Sequence, residues 1–407
     1  MTDIDVKRTG SGEEMTIELT ERSDVPTWAA DAPLAVVGTA RSRLEGREKV
    51  TGTARYTYDI RLPRQCYAKV LRSPYPHARI VRVDTSAAEA LPGVHAAISS
   101  ADAPDIDWYK ETKLFDTTVR FVGDEVAAVA AESEEIAEDA LRLIEVEYEP
   151  LPFVTDLEAA ITDDAPKIWS EGNIPEEPTV YDRGDADTGL AGADVTVEMT
   201  FHTAAALHNA LEPHGATAMW EGDRLTLWSS TQSVFTVRQM VAEALGLPEH
   251  RLRVIKQHMG GGFGAKQIAW KHDVIAALLS QRAGRPVQLM LDRDAENRAV
   301  GNRPATRQQV RIGAKRDGTL TAIWADIALN RGAYSASGEA SDVSGTYQTL
   351  YKCANVHTIQ KNVATNTGPH VAFRAPGHVE AAWALEQAMD ELARQLGMDP
   401  VELRRRN

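Results

Sequence analysis

The stretch QHMGGGFGAKQ at 257–267 sets Gly260, Gly261, Gly262 and Gly264 around a single aromatic residue, Phe263. Glycine inside regular structure costs roughly 0.5–1 kcal/mol relative to alanine, so such a cluster calls for unusual dihedrals or a ligand pressed against the main chain. A tight strand-to-helix turn is the plainest reading. A phosphate-cradling Walker loop requires Gly before Lys and a hydroxyl after it. Ala265 and Gln267 stand there instead. Gly260, Gly262 and Ala265 do satisfy the G-x-G-x-x-[G/A] dinucleotide fingerprint, with Asp292 ending the next expected strand. Against it, Asp292 lies beyond the usual interval of about 20 residues, and the chain continues as a hairpin rather than as alternating strands and helices. Glu212, Pro213 and His214 offer an acid/base pair, which would have to come within about 3 Å of a substrate to act. A buried, satisfied histidine is the commoner role.

The segments around these residues define what positions them. HRLRVIKQ reads as the strand that delivers the glycines, and QIAWKHDVIAALLSQRAG as the helix that leaves them. Upstream, VTVEMTFHTAA and DRLTLWSST alternate as strands, and VFTVRQMVAEALG has helical spacing with a stop at Gly246. QQVRIGAKRDGTLTAIWADIAL predicts an antiparallel hairpin with a DG turn, and EAAWALEQAMDELARQLG a C-terminal helix. Nearer the N-terminus, CYAKVLRS and ARIVRVDT predict a strand pair joined by PYPH. RFVGDEVAAVAAESEEIAEDALRLIEVEYEPLP then runs strand, helix, strand. The Pro-, Asp- and Gly-rich ITDDAPKIWSEGNIPEEPTVYDRGD predicts a linker before a second domain.

Of the 407 residues, 43% are hydrophobic, an ordinary globular composition for two or three domains. With 59 acidic and 44 basic side chains the formal charge is −15, which argues against a phosphate-tracking nucleic-acid surface and against anionic membranes. Cys66 and Cys353 are the only cysteines, too few for a disulfide framework, a zinc site or an iron–sulfur cluster. No run approaches a membrane span and no secretory signal pattern opens the chain, so a cytoplasmic location is expected. Residues 1–34 read as a polar arm.

Taken in order, KVTGTARYTYDI, VLRSPYPHARI, VGDEVAAVAAES, LEPHGATAMWEGDRLTLWSSTQ, QHMGGGFGAK and AFRAPG resemble the molybdenum hydroxylases, the xanthine dehydrogenase and aldehyde oxidoreductase family. The resemblance covers nearly everything beyond the arm. It implies an α/β (α+β) fold: an a/b hammerhead domain at 35–155, a linker at 156–189, and the first molybdopterin-binding domain at 190–407. In that family a pterin dithiolene, not protein side chains, holds the molybdenum, and a water-derived oxygen enters a C–H bond of the substrate. The cofactor expected is molybdopterin, as the cytosine dinucleotide or a similar form, and the substrate an aldehyde or an N-heteroaromatic compound.

Carried onto this sequence, the resemblance makes Gly261, Gly262, Phe263 and Gly264 the loop beside the metal, with Phe263 walling the substrate channel. Gln232 matches a glutamine whose amide hydrogen-bonds an oxygen ligand of the metal. Arg374 and Ala375 would lie beside the cofactor mainly through their backbone, with Pro376 stiffening the bend. Gln267 would contact substrate where the family often carries Glu, and LEPHG would be structural support. The family's general base is a glutamate near the far end of a subunit about twice this length, so no catalytic residue is assigned to this chain. It is expected to be inactive without a second molybdopterin-binding chain or a missing C-terminal half, an arrangement resembling nicotinate dehydrogenase. Iron–sulfur and FAD subunits carrying [2Fe–2S] and flavin would take the electrons. A NAD-dependent dehydrogenase and a non-catalytic assembly or scaffold subunit are the readings from other classes.

Overall fold

The alternating run CYAKVLRS does form a strand, Cys66–Arg72, but its partner is not the neighbouring Ala78–Asp84. Pro74 and Pro76 prevent a tight hairpin turn between them. Instead Ser73 N donates to Asp124 O at 2.8 Å and Gly123 N to Ser73 O at 2.9 Å, steering Cys66–Arg72 into antiparallel pairing with Glu125–Ala131. Ala78–Asp84 joins a separate three-stranded sheet with Glu145–Pro150 and Thr118–Val119.

The computed structural model describes residues 31–109, 112–336 and 342–407, Ala29, and the backbone of two N-terminal strands. Two units result, Met1–Ala54 and Arg55–Asn407. In the first, Thr2–Val6 pairs antiparallel with Met15–Leu19, and Gly46–Val50 is a short helix. The segment expected as an arm therefore contains a strand pair, and most of its other residues lie outside the described ones.

In the second unit a seven-stranded mixed sheet runs Leu252–Ile255, Arg224–Ser229, Gly215–Glu221, Val287–Met290, Cys66–Arg72, Glu125–Ala131, Val94–Ser99. Its centre crosses the boundary expected between two domains, because Val287 pairs in parallel with Cys66. Every residue of Glu125–Ala131 is buried. Its alanines are small enough to admit a helix on each face, Glu134–Arg142 and Lys271–Ala283. The latter helix is buried at ten successive positions, from Lys271 to Ser280. It begins at Lys271, later than the sequence pattern predicts, where Asp273 Oδ2 accepts from Trp270 N at 3.0 Å.

A five-stranded sheet carries the predicted hairpin: Thr306–Ala314 pairs antiparallel with Leu320–Gly332. Val356–Ala364 and Thr179–Arg183 extend it on one side and Val195–Thr203 on the other. Thr179–Arg183 and the helices Leu157–Ile161 and Ala186–Ala191 occupy the stretch expected as a linker. The helix His378–Leu396 buries Ala381, Ala384, Leu385, Ala388, Met389 and Leu392, one stripe at helical spacing, and stops at Gly397 with φ +65°. Both cysteines are free and buried, and burial pushes both thiols up. Among the described residues no helix is long and apolar enough to cross a membrane.

Lys271, the first residue of the helix Lys271–Ala283, joins that helix to the hammerhead-side strands. Its Nζ lies 3.4 Å from Asp124 Oδ1 and 3.3 Å from Glu125 Oε2, and Arg72 reaches Glu125 Oε1 at 2.8 Å. Burial works against the ammonium, but the two carboxylates outweigh it and hold Lys271 above the ordinary lysine value. Removing one partner of a buried pair leaves an uncompensated charge, so Lys271→Ala should lower the unfolding free energy by about 3–5 kcal/mol in chemical denaturation. The adjacent His272 is pushed down to about 4, chiefly by burial. Its stabilising contribution is therefore complete above the unfolded value of about 6.5 and lost as pH falls towards 4. His272→Phe should flatten the fall in stability over that window.

Candidate cofactor-binding site

Leaving the strand Leu252–Ile255, the glycine loop threads between two other segments of the chain, and those segments account for most of its glycines. A Cβ on Gly262 would meet Gln232 Oε1 at 2.5 Å, and one on Gly260 would meet Glu212 Cβ at 2.5 Å. On Gly264, whose φ is +117°, it would strike the carbonyl oxygen of Ala372. The close neighbour demanded by the sequence is thus, in large part, the protein itself. Phe263 adopts φ +50° without being glycine, and so does Ala375 at +59°. Such dihedrals persist only when the surroundings enforce them. Here the two strained loops are tied together, Arg374 N donating to Phe263 O at 2.7 Å.

Gln232 sets the loop's inner edge. Its Oε1 accepts from Gly264 N at 2.8 Å and Lys266 N at 3.3 Å, and its backbone N donates to Lys266 O at 2.7 Å. With the carboxamide oxygen so engaged, the amide nitrogen is the end left open; it has no partner among the described residues. Gly264 N is occupied by Gln232 Oε1 and is not free to donate to a ligand. Gly261, Gly262 and Phe263 N–H have no partner among the described residues, although Gly262 is buried. The N–H of Arg374 is likewise taken, while that of Ala375 has no partner among the described residues. Phe263 is 44% exposed, and Gln267, Arg374 and Ala375 are exposed as well.

Three residues not singled out by their sequence context support this arrangement. Arg303 donates to Phe373 O at 2.6 Å, Arg374 O at 2.7 Å and Glu380 Oε2 at 2.7 Å, fixing the AFRAPG loop. Glu296 accepts from His214 N and pairs with His214 Nδ1, each at 2.8 Å. Burial alone would raise the Glu296 carboxyl, but the bonds from His214 outweigh it and hold it below its usual range. Nothing in RDAENRAV distinguishes Glu296 from an exposed helix acid, so only the fold reveals it. Glu212 and His214 do not form an acid/base pair: Glu212 accepts from Gly260 N at 2.7 Å and Thr57 N at 3.2 Å. Lys266 Nζ is buried and donates to Glu212 O and Ser230 Oγ, each at 2.6 Å. Burial pushes its ammonium down, with Glu212 opposing.

The dinucleotide reading fails on geometry. Two strands separate Leu252–Ile255 from Val287–Met290 in the sheet, the helix starts seven residues past Gly264, and Asp292 caps a helix through Ala295 N at 2.7 Å. What the two loops offer is a set of N–H donors: three consecutive amides, a carboxamide and Ala375 N–H. Donors of this kind suit a group that presents acceptor atoms and brings its own metal–ligand bonds. A metal held directly by side chains would need acceptors, and among the described residues no cluster of three His, Cys, Asp or Glu is assembled. The donor set therefore fits a pterin-held metal.

Comparison with known proteins agrees. Residues 170–407 match the molybdopterin cofactor-binding domain, and 51–152 the a/b hammerhead domain of aldehyde oxidase and xanthine dehydrogenase. The xanthine dehydrogenase molybdenum-binding subunit of Escherichia coli O157:H7 is 36% identical over 90% of this chain and 51% of its own length. The nicotinate dehydrogenase large molybdopterin subunit of Eubacterium barkeri is 33% identical, over 91% of this chain and 88% of that one. The quinoline 2-oxidoreductase structure from Pseudomonas putida 86 superimposes with a TM-score of 0.85 at 33% identity, covering 91% of this chain and 50% of that one. Hammerhead and cofactor-binding domain together define a molybdopterin-binding chain of the oxidoreductase type. The chain belongs to the molybdenum hydroxylase family of xanthine dehydrogenase and aldehyde oxidoreductase, as a large-subunit chain, and it spans about half the length of the first curated relatives it matches.

Because Gly264 combines a positive φ with contact against backbone, Gly264→Ala should cost at least about 1–3 kcal/mol of stability. Gly262→Ala, which meets a side-chain end, should cost less. Paired denaturation curves check the order.

Proposed function

We propose that this chain forms part of the catalytic subunit of a molybdenum hydroxylase that oxidises an aldehyde or N-heteroaromatic substrate with water as oxygen source, electrons passing to [2Fe–2S] and FAD partners. The observation that carries the reading is the set of donors, unpartnered among the described residues, on two interlocked loops: the N–H groups of Gly261, Gly262, Phe263 and Ala375, with the Gln232 carboxamide. When bound, the pterin-held metal supplies the two-electron oxidation and oxygen insertion. The chain's own residues have narrower tasks. Backbone donors and Gln232 hold acceptor atoms of the cofactor and need no reorganisation, since strained neighbours and Arg303 fix them beforehand. The Phe263 ring walls one side of the substrate approach and excludes water, and Gln267 offers a neutral amide for polar substrate atoms.

General-base catalysis is worth about 10²–10⁴-fold, yet the carboxylates nearest the loop are already engaged. Glu212 is held by two backbone N–H groups and Glu296 by His214. The base is therefore assigned to a second molybdopterin-binding polypeptide, or to further sequence of the same protein, which also completes the cofactor cavity. The near-full coverage of the nicotinate dehydrogenase large molybdopterin subunit supports the two-chain form. Relatives named for nicotinate, xanthine and quinoline support an N-heteroaromatic substrate, and those named aldehyde oxidoreductase support an aldehyde. A location in the cytoplasm accords with this assembly.

Purification from the native source, with subunit identification, molybdenum and pterin analysis, and assays of aldehydes against heteroaromatics with an artificial acceptor, tests the reading. A cofactor-loaded chain that turns over alone would overturn the partner assignment. Gln232→Glu keeps an acceptor for Gly264 N but replaces the open donor by an anionic oxygen. It should lower molybdopterin retention at least about tenfold, equivalent to one lost charge-assisted hydrogen bond, while the fold is kept by circular dichroism.

A further inference from the structure

The segment Tyr56–Arg61 lies 155 residues from Glu212 at its closest hydrogen bond, yet it is built into the site's support. Gln288 Nε2 reaches Ile60 O at 3.2 Å and Thr57 O at 3.4 Å, holding the segment against the sheet. Tyr56 packs on His258, two residues before the glycines, with ring centroids 5.7 Å apart. Between segment and loop stands one carboxylate. Glu212 Oε1 takes the N–H of Thr57 at 3.2 Å and Oε2 the N–H of Gly260 at 2.7 Å, while Glu212 N returns a bond to Gly260 O at 3.2 Å. Lys266 Nζ, 3.5 Å from Oε2, fixes the same residue through its carbonyl. Both Glu212 and Thr57 are buried, so water cannot readily replace either bond.

We infer that Glu212 is a positioning residue that couples docking of the Tyr56–Arg61 segment to the set of the glycine loop, and hence to the direction of the open amides at 261–263. The cofactor consequence rests on the reading of those amides given above; the coupling itself does not. A carboxylate shared by two N–H groups on separate segments transmits displacement, because moving either donor lengthens the bond to the other or rotates the shared carboxyl. The glycines provide no side chain to resist that rotation.

The coupling is tested by amide hydrogen exchange on the full chain, without cofactor. Thr57→Pro removes the distant N–H and leaves Glu212 in place. Thr57 opens a 3-10 turn after an extended Tyr56 (φ −96°, ψ 176°), a position that accepts proline. Exchange at Gly260 and Gly264, the loop amides that are hydrogen-bonded, is expected to accelerate about tenfold in Thr57→Pro and in Glu212→Gln, with the double variant no faster than Glu212→Gln alone. Amides of Lys271–Ala283 should be unchanged. Loop exchange within twofold of wild type in Thr57→Pro, multiplicative effects in the double variant, or equal acceleration along Lys271–Ala283 would each overturn the inference. In the purified complex, Thr57→Pro should also shift the visible circular dichroism of the bound cofactor; an unchanged spectrum beside accelerated exchange overturns the link to the cofactor. Absence of pterin from the wild-type complex would instead overturn the cofactor reading and leave the exchange result standing.

Discussion

The approach of oxygen atoms to a bare main chain governs this structure. Gln232 Oε1 and the carbonyl of Ala372 each stand where a methyl group on the loop would need to be, while Glu212 Oε2 binds Gly260 N and the Cβ of Glu212 fills the space a Gly260 side chain would take. Each engaged oxygen either binds a loop amide or occupies the place where a Cβ would stand. The consequence is selective: some amides are consumed in building the loop, and the next ones along are left as donors. A loop of side-chain-bearing residues could not be drawn so tightly, and a loop of free glycines would have no fixed direction. Strain at Phe263 and Ala375 is the cost of interlocking, offset by the bond between Arg374 N and Phe263 O and by the three bonds from Arg303.

That arrangement needs a rigid frame, and the frame ignores the boundary visible in composition. Because Val287–Met290 lies beside Cys66–Arg72, the hammerhead strands and the strands Gly215–Glu221 and Arg224–Ser229, which Glu212 and Gln232 flank, share one sheet. Lys271, pinned between Asp124 and Glu125 at the head of the central helix, ties the two sequence regions electrostatically where the sheet ties them through backbone. The residues that hold the loop are therefore drawn from 57, 212–214, 230–232, 296, 303 and 372–380. None is positioned by its sequence neighbours alone.

Much of the architecture was legible beforehand. The DG hairpin, the helix stops at Gly246 and Gly397, and the strand–helix–strand run after Gly123 follow from turn chemistry and short-range periodicity, which act within a few residues. The pairing of CYAKVLRS was not legible, since alternation marks a strand without naming its partner. Likewise Thr179–Arg183 lay hidden in a Pro- and Asp-rich stretch, because an edge strand with little buried surface carries almost no hydrophobic signal.

The order of motifs and the identity of the glycines were determined by the amino-acid sequence itself: the family, the two domain types and the glycine-rich loop all follow from residues close together along the chain. Which amides stay open was decided only by the tertiary structure. Gly264 and Gly262 are alike as letters, but the N–H of the first donates to Gln232 and that of the second has no partner among the described residues, a difference set by a side chain thirty-two residues away from Gly264. Hydrogen bonds and steric exclusion act through space, so the division between donor and support could not be read from spacing.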